Sequence, residues 1–404
     1  MRKIVLLVIT SVFISMEIFA GGYQVRLQGN KQNGFGLIGT PLSWGSSSIF
    51  YNPGALSFMK DKMHFEVGAS GIMSNAAFQQ SGSSYKAETE NPIGTPFYVY
   101  GGVKINDLIA VGVGVYTPFG SSAKWKDDWS GKFLIQNISL KAIFVQPTIS
   151  FNINEKFGVG AGFIYTIGGV EINKALNYGA ISEVNLKANA NGLGFNLGIF
   201  YKAGDKLSFG LNYRSKVTMK VRGGDSKFNV PSSLNTLIPA TNKFDTELPL
   251  PGNLDFGVAY WATEDLLIAF ELDWVMWKTY NSLSFTFTES GSLLNSSNPR
   301  KYKDTFIPRV GVQYNVMENL QLRAGAYYDS SPTNPDYFTP ETVSLNTFAY
   351  TLGLSYSPVE MLSIDVSFLQ LFGQKSEMSY TPDNFKGTYK TITYIPGLGV
   401  SLKF

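Results

Sequence analysis

Ionisable side chains recur on one parity of a series of alternating segments: Arg214, Lys216, Glu271, Asp273, Arg309, Arg323 and Asp365. Successive side chains of a strand point to opposite faces, so these residues share the polar face of whatever sheet the segments build. A cation held in an otherwise apolar enclosure favours a carboxylate as its partner. Arg214 and Lys216 are the cations best placed to meet one, and an uncharged ligand would not repay the desolvation of Arg214. Acids on neighbouring segments can equally pair with these cations and stiffen the wall.

Covalent chemistry has no comparable support. The chain holds one histidine and no cysteine. His64 stands two residues before Glu66, with no Gly-x-Ser-x-Gly turn and no cluster of metal ligands to accompany it. Acyl transfer needs a positioned base next to a nucleophile. His64 therefore reads as a hydrogen-bonding residue, and the protein as no enzyme, with neither metal nor cofactor.

The elements that must position these side chains are strands. Leu207, Phe209, Leu211 and Tyr213 alternate with Ser208, Gly210, Asn212 and Arg214, and Ile268, Phe270, Leu272 and Trp274 with Ala269, Glu271 and Asp273. Leu362, Ile364, Val366 and Phe368 alternate in the same way with Ser363, Asp365 and Ser367. Short polar turns at 104–107, 152–155, 203–206, 263–265, 315–319 and 357–360 alternate with longer stretches at 73–96, 117–137, 173–190, 223–250, 279–304, 330–346 and 373–388. Six turns and seven loops connect fourteen strands. Short periplasmic turns facing long outer loops are the pattern of outer-membrane barrels, whose apolar face meets lipid and whose polar face lines the lumen. A sandwich has no reason to alternate its loop lengths.

Composition agrees. Charged residues make up only 16% of the 404, aromatic residues 14%, and there are 41 glycines. A net charge of +3 is too small to suggest nucleic acid. Arg2 and Lys3, an apolar run to Met16 and Ala20 before the cut describe a secretory signal peptide over 1–20. No later run is long enough for a membrane-spanning helix. Residues 21–59 are rich in Gly, Ser and Asn and show neither strand nor helix period. So long an irregular segment ahead of a barrel suggests a plug, since irregular backbone is tolerated at membrane depth only inside protein. The expected organisation is all-β: a signal peptide at 1–20, an N-terminal hatch at 21–61 plugging the lumen, and a 14-stranded antiparallel transmembrane β-barrel at 62–404. Leu398, Val400, Leu402 and Phe404 end the chain on an alternating strand, and Phe404 suits a lipid interface.

These features together resemble the FadL/TodX family of outer-membrane transporters for hydrophobic compounds, over 21–404. The resemblance rests on Gly21-Gly22-Tyr23, Asn52-Pro53-Gly54, Pro118-Phe119-Gly120, Tyr213-Arg214-Ser215-Lys216, Asp273-Trp274-Val275-Met276-Trp277, and Leu322-Arg323-Ala324-Gly325 followed by Ser331-Pro332. The terminal Phe404 is similar to the tail read by the outer-membrane assembly machinery. The resemblance implies passive uptake across the outer membrane of a Gram-negative bacterium, by a monomer set among lipid and lipopolysaccharide. A lipophilic substrate would be caught between outer loops, bound in the lumen, and released sideways through a kink in the third strand when the hatch moves. Long-chain fatty acids are the favoured substrates and aromatic or aliphatic hydrocarbons the next. A polar-solute porin and a surface adhesin are the rivals of other classes.

The resemblance also implies roles for residues. Tyr23 matches the aromatic beside the family's internal ligand. Asn52, Pro53 and Gly54 would anchor the hatch exit, with Gly54 where the family has Ala; Pro53 fixes φ and Asn52 before it is held extended. The acids common upstream of that motif are replaced by Trp44-Gly45-Ser46-Ser47-Ser48. Gly112 and Gly114 in the third strand are candidates for the kink, although glycines such as Gly158, Gly160 and Gly162 can also make room for the hatch. Leu176, Tyr178 and Ile181, with Leu234, Leu237, Ile238 and Phe244, would form an apolar capture surface on outer loops. Leu234, Leu237 and Ile238 have helical spacing. Trp274 and Trp277 are expected in an interface girdle.

Overall fold

The computed structural model describes residues 22–178, 182–289 and 294–404, so the expected leader at 1–20 lies outside the described residues. Each alternating segment is a strand of one wall. In chain order the staves are β1 (Met63–Ser70 continued by Met73–Gln80), β2 (Lys86–Glu88 and Phe97–Lys104), β3 (Ile109–Lys124), β4 (Asn137–Asn152) and β5 (Phe157–Ala175). Then come β6 (Glu183–Lys202), β7 (Leu207–Arg214 and Val217–Asn229), β8 (Thr241–Leu250 and Asn253–Trp261) and β9 (Leu266–Val275 and Ser282–Phe287). The ring ends with β10 (Ser296–Pro299 and Thr305–Met317), β11 (Leu320–Asp329), β12 (Thr347–Val359), β13 (Leu362–Tyr380) and β14 (Phe385–Lys403). β1 pairs with β2 on one side and β14 on the other, so the fourteen antiparallel staves among the described residues close on themselves. Closure leaves no edge to be satisfied in lipid.

The outward face is apolar: Val67, Val113, Leu197, Phe270, Val312 and Leu352 are all exposed. The inward one holds Gln146, Asn196, Glu271, Asp273, Arg309 and Asp365, all buried. Local side-chain bonds set the tight turns. Asn106 Oδ1 accepts from the N–H of Leu108 and of Ile109, and Thr263 Oγ1 from those of Asp265 and Leu266. Each such side chain mimics a backbone turn.

The outer stretches read as loops are partly strand, 330–346 excepted. Residues 73–80, 217–229 and 241–250 continue β1, β7 and β8. Here the faces exchange chemistry: Val217, Met219 and Val221 point inward and are buried, while Lys220 and Arg222 face out. The exchange is made where Ser215 and Lys216 interrupt β7 and shift its parity. Lys216 is therefore exposed and does not enter the lumen, contrary to simple alternation. β8 makes the same shift at Pro251–Gly252, between inward Leu250 and inward Asn253.

Residues 22–59 fill the lower lumen as a folded plug with α1 (Asn30–Asn33), α2 (Ser48–Tyr51) and a 3-10 turn at Pro53–Phe58. Phe35, Ile38, Ile49 and Leu56 are fully buried. Irregular backbone is satisfied by the wall: Gly36 N–H donates to Thr351 Oγ1 at 2.9 Å, and the N–H groups of Gly39 and Thr40 donate to Glu271 Oε2 at 3.1 and 2.9 Å. Asn52 is extended, with φ −166° and ψ 99°, and its amide donates to Thr40 O in the plug and Ile199 O in β6. Its Oδ1 accepts from Gly54 N–H. A Cβ on Gly54 would lie 2.8 Å from Gly198 O and 2.9 Å from Gly158 O, so glycine lets the plug sit directly on the wall.

Candidate functional site

The plug is tied to one side of the barrel by charge. Arg26 donates to Asp255 at 2.8 Å, to Glu271 at 2.7 Å and to Asp273 at 3.2 Å. Arg309 donates to the same Glu271 and Asp273 from the wall, at 3.2 and 2.9 Å. All five side chains are buried. Asn253 and Asn212 take further carboxylate oxygens, and Gln24 reaches Asn253. The plug thus supplies a cation to wall acids, and Arg26 carried no sequence signal beyond its charge.

On the opposite side the plug closes an irregularity in β3. The β3 ladder to β4 slips between Tyr116 and Phe119, and the ladder to β2 ends at Tyr98↔Tyr116. Pro118 offers no N–H there, which favours a bulge. Plug backbone takes up the freed groups: Val25 N–H donates to Pro118 O at 2.7 Å and Gly120 N–H to Tyr23 O at 3.1 Å, flanking a Gln24↔Phe119 bridge. Gly112 and Gly114 are not the irregularity. Both sit in unbroken register with β2 and β4. Their role is clearance for Ile49, whose side chain would be 2.7 Å from a Cβ at Gly112 and 3.1 Å from one at Gly114.

Above the plug lies an apolar cavity with about 50 Å³ of free space, lined by Tyr23, Ile138, Leu140, Val170, Ile172, Met219, Val221, Leu248, Leu283 and Phe285, with Glu341 and Thr342 from an outer loop. Tyr23 stands where cavity and β3 meet. Its hydroxyl donates to Pro249 O at 2.6 Å, and its ring packs edge-on to Trp277 at 4.9 Å and Tyr280 at 5.7 Å, with Phe119 at 6.3 Å. Trp277 is thus inside the barrel, not in a girdle, on the same parity as inward Glu271, Asp273 and Val275. Trp274 stays on the outward parity, stacked on Phe306.

Arg214 is buried beneath this region. It donates to Phe50 O at 2.6 Å and to the Tyr116 hydroxyl at 2.7 Å, with its guanidinium 4.3 Å from the Phe50 ring centre. No ion pair to Arg214 occurs among the described residues, in contrast to Arg26 and Arg309. An aromatic series Tyr23, Phe119, Phe144, Tyr116 and Phe50 joins the cavity to it. His64 is buried too, with Nδ1 accepting from Ser46 N–H at 3.1 Å.

The expected capture surface is dispersed. Phe244 is fully buried in the upper part of β8 against Phe285 and Phe287, and Leu176 packs against the core. Tyr178 and Leu237 are exposed, whereas Ile238 is buried. Leu234, Leu237 and Ile238 form one turn, closed by Leu237 and Ile238 N–H groups on Leu234 O, not an amphipathic helix. Ile181 lies outside the described residues.

Among curated relatives, the long-chain fatty acid transport protein of Salmonella typhi is 22% identical over 420 residues, covering 95% of each chain. Among solved structures, a Pseudomonas aeruginosa FadL homologue superimposes with a TM-score of 0.85 at 18% identity, over 95% of this chain and 100% of that one. The toluene transporter TodX of P. putida follows at 0.77 and 17%, over 93% and 98%. The family profile for "outer membrane protein transport protein (OMPP1/FadL/TodX)" matches residues 11–404. The chain belongs to this family of outer-membrane transport barrels.

Proposed function

We propose that the barrel takes up long-chain fatty acids by passive diffusion, through the upper cavity and out sideways at the β3 irregularity. The carrying observation is that Tyr23 belongs to both: it lines the cavity, and its backbone seals β3 at Gly120. A ligand that displaces Tyr23 unpairs residues 23–25 from Pro118–Gly120 and opens the wall between β2 and β3. The Arg26 cluster keeps the rest of the plug in place, so the moving part is short. Burial of the alkyl chain in the apolar lining supplies the affinity. Arg214, which has no ion pair among the described residues and stands at the far end of the aromatic series, receives the carboxylate on its way through the wall.

A second reading, uptake of monoaromatic hydrocarbons, draws on the almost wholly apolar lining and on the likeness to a toluene transporter. Uptake of labelled oleate and labelled toluene by cells lacking their own transporter separates the two. Entry of oleate supports the first reading, and entry of toluene alone replaces it with the second. Entry of neither into cells displaying the folded barrel overturns both.

A further inference from the structure

The roof of the cavity carries a buried ion pair that the transport path does not require. Arg300 is fixed by its own backbone, whose N–H donates to Asn281 O at 2.8 Å. Its guanidinium is only 4% exposed and donates through Nη2 to Glu341 Oε1 at 2.7 Å. Nη1 has the Pro299 carbonyl at 3.4 Å, and Nε is buried without a partner. The phenols of Tyr280, Tyr302 and Tyr380 surround the pair, with Lys174 nearby.

Glu341 comes from the 330–346 connection between β11 and β12, which crosses the barrel mouth. Trp125 Nε1 donates to Pro340 O, Phe338 packs on Tyr389 at 4.7 Å, and Phe338 N–H reaches Ser379 O. Glu341 and Thr342 close the cavity from above, and Glu341 is the one charged residue in the lining given by the described residues. The Arg300 guanidinium behind Glu341 of the lining is thus already occupied by a carboxylate of the chain itself.

We propose that Glu341 holds, on Arg300, the seat of a ligand carboxylate, and that a long-chain carboxylate lifts the 330–346 lid by taking that seat. This rests on the reading of the cavity as a lipid site. The exchange conserves charge: one carboxylate replaces another on a guanidinium that cannot be left unpaired once buried. The incoming group can also use Nε, giving the two-pronged geometry that Glu341 leaves incomplete. Burial of the alkyl tail drives the exchange, and the freed Glu341 passes to water. A long-chain alcohol or a hydrocarbon offers Arg300 no anion, so it does not release the lid.

Purified full-length protein titrated with oleate and with oleyl alcohol tests this, in the wild type and in Arg300→Gln, Glu341→Gln and the double variant. A charge-assisted pair predicts oleate binding tighter than the alcohol by about tenfold or more, with the difference lost in Arg300→Gln. Glu341→Gln removes the internal competitor and tightens oleate several-fold while leaving the alcohol unchanged. The double variant, which carries no unpaired charge, binds both ligands alike and controls for folding. Oleate weakened by Glu341→Gln, or preferred still after Arg300→Gln, overturns the exchange while the cavity reading stands. Binding of neither ligand to any of the four proteins overturns both. As a second readout on this cysteine-free chain, thiol labelling of Thr342→Cys accelerates with oleate and not with the alcohol. Equal labelling rates would refute lid release.

Discussion

Arg26 and Glu271 stand 245 residues apart in the chain and 2.7 Å apart in the lumen, and their contact joins plug to wall. Glu271 spends its second oxygen on the Gly39 and Thr40 N–H groups, so one carboxylate fixes two plug segments. Removing one partner of a buried charge network leaves the others uncompensated, at a cost of about 3–5 kcal/mol. Arg26→Gln therefore loosens the plug while the closed ring of fourteen staves remains. The expected result is a barrel that still shifts on gels when heated, with raised single-channel conductance. Wild-type conductance would show that the cluster does not hold the plug.

The glycine contacts give a second expectation. At Gly54 an alanine Cβ meets two wall carbonyls at 2.8 and 2.9 Å, and backbone on both sides leaves it nowhere to go. Overpacking of this kind costs about 1–3 kcal/mol. Gly54→Ala is expected to lower the thermal stability of the plug measurably. Gly120→Ala, whose Cβ would meet only Leu140 O at 3.3 Å, is the milder control. Equal losses in the two would show that the Gly54 contact is not tight. For the same reason, valines at Gly112 and Gly114 displace Ile49 and disturb the plug, so lost uptake in them would not locate an exit.

How far the sequence could be read follows from which rule governed each position. Alternation and loop-length contrast specify the ring, because every lipid-facing strand obeys the same two-residue period. Composition marks the plug, because irregular backbone must sit inside. Parity failed for Lys216, since the break in β7 exchanges the faces and one inserted residue turns every later side chain over, whereas Trp277 keeps the inward parity of Glu271 and Asp273 and was assigned to a girdle on its residue type alone. The upper strands of β7 and β8 read as loops because their apolar residues face inward there and their charges outward, the reverse of the rule below. Arg26 and the Arg300–Glu341 pair were invisible because their partners are remote in sequence. The β3 irregularity was legible at Pro118, yet glycine drew attention to Gly112 and Gly114.

Arg214 and Lys216 now separate cleanly. Lys216 faces outward beside the break in β7, whereas Arg214 is buried on Phe50 and Tyr116. Lys216→Ala is expected to leave oleate uptake within about twofold of wild type. Arg214→Gln is expected to reduce it by about tenfold or more, on the scale of a lost charge-assisted hydrogen bond. Loss of uptake in both variants, with both barrels folded, would remove the distinction and return Lys216 to the transport path.

The seal at β3 can be locked. Val25 N–H to Pro118 O and Gly120 N–H to Tyr23 O flank Gln24 and Phe119, which makes them a non-hydrogen-bonded antiparallel pair. Such pairs have Cα atoms about 4.5 Å apart, within reach of a disulfide. The chain has no cysteine of its own, so Gln24→Cys with Phe119→Cys forms a single defined bridge. Oxidised, the double variant is expected to bind oleate and fail to pass it; reduced, it recovers uptake. Each single variant, unable to bridge, reports what the lost side chain alone does. Undiminished uptake by the oxidised, cross-linked barrel would mean that substrate leaves without parting residues 23–25 from β3, and the exit would have to be sought elsewhere in the wall.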